Sequence, residues 1–235
     1  MRRLFLSVLA LLPAVMVHAV EPNGPERFPF FTWGARIGFN ATGTYISHAV
    51  LDGKDLTNYE QDTQVGNFCS LQFRFNSSRL FFQSGVGLSS NKTTVNIDRN
   101  SWKENSQTTD FLTASYVMKS VTVPVQIGCH IINQSPYCMS VFTGPRFRYT
   151  PSKYYSASFI NQNPYNLAET NNPLSVGWTI GLSILIERTF LDFEYEAGIS
   201  NLSKSINDTS GAYAGSEFNL GHRTSILSFS YGIMF

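Results

Sequence analysis

The stretch from Arg223 to Phe235 places Leu227, Phe229, Tyr231, Ile233 and Phe235 on one phase of a two-residue alternation. Thr224, Ser228, Ser230 and Gly232 fall mainly on the other phase. Period two means a β-strand with one apolar and one polar face. A final strand of this kind exposes a row of unpaired N–H and C=O groups unless something closes on it. Pairing with the first strand of the chain, to form a barrel, meets that demand. An edge strand in a soluble sandwich is the alternative, and the remaining sequence chooses between them.

Seven more alternating segments precede it, at about 33–46, 65–76, 79–91, 111–130, 138–149, 174–186 and 190–202. Pro124 lies inside the fourth and removes one ladder donor, which predicts a bulge there. The connections run long, short, long, short, long, short, long. Asn76-Ser77-Ser78, Asn133-Gln134-Ser135-Pro136 and Glu187-Arg188-Thr189 are the short ones. Short turns at one rim and long loops at the other are the pattern of outer-membrane barrels. The sequence therefore predicts an all-β fold: an eight-stranded antiparallel transmembrane up-and-down β-barrel.

Composition agrees. Charged residues make up 14% of the chain and it holds 19 Phe and 11 Tyr, where about a quarter charged is usual for a soluble domain. A soluble barrel of eight strands keeps its apolar face inside. Here Gly, Ser, Thr and long charged side chains share one face, which suits a crowded lumen, and the other face is continuously apolar. Trp33, Phe75, Tyr149, Tyr195 and Phe235 are candidate girdle residues at its two ends. Arg2, Arg3 and the apolar run from Leu4 to Val17, ending in Val17-His18-Ala19, form a secretory signal peptide. The run is too short for a membrane helix and is broken by Pro13. The expected organisation is a signal peptide at 1–19, a short periplasmic lead at 20–32 and the barrel at 33–235. Loss of Arg2 and Arg3 lowers the formal net charge of +1 by two, and nothing in that balance points to nucleic acid.

Val121-Thr122-Val123-Pro124-Val125, Gly144-Pro145-Arg146-Phe147, Gly177 with Gly181, Tyr195 to Asn201 and the terminal Tyr231-Gly232-Ile233-Met234-Phe235 resemble the PorT-like family of small outer-membrane β-barrels. More distantly the chain is similar to the OmpA transmembrane barrel. The resemblance implies insertion by the barrel assembly machinery, with Tyr231, Ile233 and Phe235 as the signal it reads. The family motifs specify a barrel rather than an activity.

The candidate site residues lie on the polar face. Arg36, Arg74, Arg146 and Arg148 are balanced there by Asp192, Glu194 and Glu196. An eight-stranded lumen is just wide enough to be filled by side chains, and buried charges must be paired. Two layers are expected: Asp192 with Arg36 or Arg74 below, and Glu196 with Arg146 above, Glu194 and Arg148 bridging or facing water. The set is either a salt-bridged plug or a narrow ion path. His48 and His222, on strands that become neighbours at closure, are metal or acid–base candidates at the outer rim. Cys129 and Cys138 flank one periplasmic turn and are candidates for a disulfide, while Cys69 faces lipid alone. Lys119 lies on the apolar face, above the membrane belt. No cofactor is indicated. The expected role is a structural or interaction scaffold that displays four surface loops to a protein partner and contacts outer-membrane lipid and lipopolysaccharide. A small-solute or ion channel and a lipid-modifying enzyme are the alternatives. The enzyme reading lacks a compact His/Ser/acid set.

Overall fold

The computed structural model describes residues 29–51, 54–55, 59–98, 111–134, 136–160, 167–208 and 218–235. The expected signal peptide and residues 20–28 of the expected lead lie outside them. Among the described residues the strands are β1 (Phe31–Leu51), β2 (Lys54–Asp55), β3 (Tyr59–Ser77), β4 (Leu80–Asp98), β5 (Phe111–Gln134), β6 (Tyr137–Tyr149), β7 (Tyr155–Ile160), β8 (Leu167–Asn171), β9 (Leu174–Ile186), β10 (Thr189–Gly198), β11 (Ser203–Asp208) and β12 (Phe218–Met234). Eight of them, in the order β1-β3-β4-β5-β6-β9-β10-β12, make one antiparallel wall. It closes where β12 pairs with β1, from Gly34↔Met234 to Leu51↔Phe218. The short β2, β7, β8 and β11 are additions on the long-loop side.

Closure at the periplasmic rim uses the last residue. The Trp33 amide donates to the Phe235 carbonyl at 3.0 Å, and the Phe235 amide donates back at 2.7 Å. Their rings stack with centroids 4.8 Å apart. All five expected girdle residues lie on the outer face, as do Tyr231 and Ile233.

The strands of the outer half are longer than the alternation of apolar residues suggested. β1, β3, β4 and β12 each extend toward the long-loop side. Most residues of the added segments, such as Lys92-Thr93-Thr94-Val95-Asn96, are β-branched or polar. They pair as strands without needing an apolar face, because they no longer meet lipid. β10 is instead shorter than expected. Past Gly198 the Ile199 amide still donates to the Val176 carbonyl at 2.9 Å, but the Val176 amide donates to the Ser200 hydroxyl at 2.8 Å instead of to a backbone carbonyl.

Pro124 does not create the expected bulge. Its strand keeps one register with β4 on either side of it, Ser84↔Val125 and Gly87↔Thr122. The lost ladder bonds are offset locally: the Ser84 hydroxyl donates to the Pro124 carbonyl at 2.8 Å. The β5–β6 register shifts nearer the periplasm, between His130 and Ile132.

Among the described residues, side chains crowd the lumen at its periplasmic end, its middle and toward its outer end. Phe81, Phe142, Phe190, Leu185, Cys138 and Met234 are buried in its periplasmic end. Three of these aromatics lie over a glycine of the next strand: Phe81↔Gly128, Phe142↔Gly181 and Phe190↔Gly232 are register partners. A Cβ at any of the three glycines would collide with the ring opposite. Charged groups occupy the middle. Tyr116, Met118, Val95 and His222 are buried toward the outer end.

Candidate functional site

Asp192, Glu194 and Glu196 sit at alternate positions of β10, so all three carboxylates point into the lumen, stepped by about 6.6–6.8 Å per pair of residues. None of them is more than 2% exposed. The neighbouring strands β9 and β12 present small lumenal residues beside them, Gly177 and Ser183 on one side, Ser228 and Ser230 on the other. These let arginines reach in from one strand further away. A Cβ on Gly177 would stand 2.6 Å from a Glu196 carboxylate oxygen, so that glycine makes room for the acid.

Arg36, from β1, places Nη1 2.9 Å from Asp192 Oδ2 and also bonds Glu194. Arg146, from β6, bonds Glu194 through Nη2 and lies 3.2 Å from Glu196 through Nη1. Arg148, also from β6, is 2.9 Å from the Glu196 carboxylate. The result is one continuous ladder, Asp192–Arg36–Glu194–Arg146–Glu196–Arg148, rather than two layers. Glu194 joins the expected layers, because it is held from both sides. Burial of a charge is tolerated only when it is paired and hydrogen-bonded, and three cations against three anions satisfy that within the ladder.

Arg74 is buried as expected but has a different partner. Its Nε and Nη2 donate to Gln83 Oε1 at 3.2 and 2.9 Å, and Gln83 Nε2 donates to Gln126 Oε1 at 2.8 Å. The guanidinium also lies 4.2 Å from the centre of the Phe81 ring, within reach of a cation–π contact. A cavity of about 30 Å³, lined by Arg36, Asn40, Gln72, Gln126, Arg146 and Arg148 among others, is what remains between ladder and amides. That is room for only a few water molecules.

Cys129 and Cys138 are not joined by a disulfide, which corrects the expected bridge. Val141, the register partner of Cys129, lies on the outer face, whereas Cys138 points into the lumen with Ser140 and Phe142. Cys129 lies one residue from Gly128 and His130, whose register partners Phe142 and Ser140 share the lumenal phase of Cys138, so the thiols sit on opposite faces. Cys138 Sγ instead lies 3.3 Å from His130 Nδ1, which is 2.8 Å from Ser140 Oγ. This buried cluster escaped the sequence reading, since its members are scattered across a turn whose register is not visible in the sequence.

His222 is 2% exposed and turned into the lumen, its ring 5.1 Å from that of Tyr116. It is not at an open rim, which corrects that expectation. The backbone of His48 pairs with Gly221, beside His222 as closure requires; its side chain lies outside the described residues. Among the described residues no group of three His, Cys, Asp or Glu side chains is placed to hold a metal ion.

Residues 25–204, well over half of the chain, match the family model described as an outer membrane protein beta-barrel domain. The chain belongs to that family. It is an integral protein of the bacterial outer membrane, as the closed wall and lipid-facing aromatic surface require. Among solved structures it is similar to the outer membrane protein OprG from Pseudomonas aeruginosa, at 14% identity over 87% of this chain and 95% of that one, with a TM-score of 0.58. Neisserial surface protein A matches at 13% identity over 88% and 98%, with a TM-score of 0.44. Ail, the attachment invasion locus protein of Yersinia pestis, matches at 12% over 87% and 98%, with a TM-score of 0.41. At these identities the likeness concerns the fold. No curated protein matches the chain in sequence.

Proposed function

We propose that this family member is a closed barrel acting as a structural and interaction scaffold, presenting its long-loop side to a partner outside the cell. The observation that carries the reading is the sealed lumen: the ladder from Asp192 to Arg148, with free space between it and the amides of only about 30 Å³. A conducting path needs a continuous file of water, and the cavity beside the ladder offers room for only a few molecules. The outer half supports the same view. β5 has 24 residues, while a tilted strand needs only about 9–11 to cross the bilayer. The surplus forms a wall standing above the membrane, braced by β7 on β5 and by β11 on β12.

A non-enzymatic role fits the cluster of nucleophile and base seen among the described residues, Cys138 with His130 and Ser140. Cys138 is 1% exposed and closed in by Leu185, Phe190 and Met234, so no substrate reaches it. The PorT-like affinity of the motifs belongs to this proposal too. So does the assembly signal: Tyr231, Ile233 and Phe235 form a regular outward row on the strand that closes the barrel, and deleting Phe235 is expected to reduce the heat-modifiable, inserted fraction.

The function is tested by liposome swelling with amino acids and small sugars. Proteoliposomes are expected to swell no faster than protein-free vesicles. Size-graded swelling would replace the scaffold with a channel.

A further inference from the structure

The outer wall carries a furrow of about 790 Å³ that the lumenal ladder does not involve. That volume is within the roughly 300–1,000 Å³ of small-molecule sites. The furrow follows the hydrogen-bonding direction across five strands. Its lower border is the outward row Tyr231↔Ile37↔Cys69↔Leu88↔Val121, and its upper border the row Phe229↔Phe39↔Asn67↔Ser90↔Lys119. The backbone between the rows is its floor. The depression exists because Asn67 and Ser90 are small where flanking positions hold Phe39 and Lys119. The extra residue that β3 carries against β4, between Thr63 and Asn67, adds to it.

The furrow is oblique and has two chemically different ends. Tyr231 lies near the periplasmic end of β12, while Val121 lies far up β5, well away from its end at Gln134. The β12 and β1 end is therefore deep in the bilayer and lined by Phe229, Phe39 and Ile37. The β5 end rises toward the outer surface and carries Lys119. There the Ser152–Tyr154 turn forms a lip with Pro151 and Tyr154, and Lys153 Nζ stands 4.8 Å from the centre of the Tyr154 ring. Lys92 pairs with Val117, one diagonal step from Lys119; such positions are about 7–8 Å apart. The described carboxylate of this region, Asp62, pairs with Thr94 on the β3 side, above the furrow.

We propose that this furrow binds one molecule of the phosphorylated glycolipid of the outer leaflet, lipid A, with an acyl chain along the Phe39–Phe229 end and a phosphate at Lys119 and Lys92. An apolar trough takes the chain, and charge complementarity fixes which end holds the headgroup, because a lysine acts on phosphate as a point charge. The outer-leaflet lipid is the source, because the cationic end is the end that rises to the long-loop side.

The test uses the folded full barrel in detergent, with native mass spectrometry as the readout. Added bisphosphorylated lipid A is expected to leave one lipid bound. Dephosphorylated lipid A and phosphatidylglycerol are expected to be retained about ten-fold less. The exposed Cys69 lines the furrow while Cys129 and Cys138 are buried, so lipid A should also slow maleimide labelling of Cys69. Lys119→Glu should lose retention and protection together, Lys119→Arg should keep both, and Ser90→Trp should block the furrow with the cations intact. Heat modifiability shows that each variant is folded. Equal retention by wild type and Lys119→Glu, equal retention of phosphatidylglycerol, or unchanged Cys69 labelling would each overturn the proposal.

Discussion

The two sides of the lumen solve the same problem with different groups. On the β10 side, acids at alternate positions of one strand meet arginines from β1 and β6. On the β3 to β5 side, Gln83 and Gln126 form a neutral chain that ends on Arg74. Both fill space and pair polar groups across strands, yet their stakes differ. Removing one member of a buried ion pair leaves an uncompensated charge, whereas removing an amide leaves an unmet hydrogen bond. The charged side should therefore fix the shape of the lumen, and the amide side should tune it.

That difference can be broken most sharply at Glu194, which two arginines hold. Glu194→Ala is expected to cost about 3–5 kcal/mol, read as a lower urea midpoint for unfolding from lipid vesicles. A loss below about 1 kcal/mol would place Glu194 outside the ladder, since an ordinary net hydrogen bond is worth that much. Next comes the ladder's outer end. Glu196→Ala and Arg148→Ala should be non-additive, with a coupling of about 0.5–3 kcal/mol in a double-mutant cycle; strict additivity would separate Arg148 from the ladder. The amide side should lose less than Glu194→Ala does. Gln83→Leu should cost about 1–3 kcal/mol by leaving Arg74 and Gln126 short of a partner. A loss equal to that of Glu194→Ala would erase the distinction between the sides.

Much of this was legible in the sequence because barrel strands carry their two environments on alternate residues. Phe39, Cys69, Leu88 and Val121 face outward and Arg36, Arg146 and Glu196 inward, as the alternation implied. The seven charged residues were all visible as lumenal. Their partners were not, since pairing depends on register around the wall and on small residues, such as Gly177 and Ser230, on the intervening strands. Arg74 shows the limit: its charge suggested Asp192, but its height and the neighbouring Gln83 decided otherwise. The lumenal Phe81, Phe142 and Phe190 were hidden for a related reason. An aromatic on the polar phase reads as an exception until a glycine is seen directly opposite. Cys138 and His130 required knowing where the β5–β6 register slips. The strand extensions were missed because polar β-branched runs above the membrane have no apolar face to announce them.

The most direct measurement of the central claim, that a paired ladder closes this barrel, is single-channel recording in planar lipid bilayers on wild type and on the Glu194→Ala, Arg146→Ala double variant. The account predicts a wild-type current indistinguishable from the bare bilayer, and discrete openings only where the middle of the ladder has been removed. Stable conductance steps from the wild-type protein would contradict it.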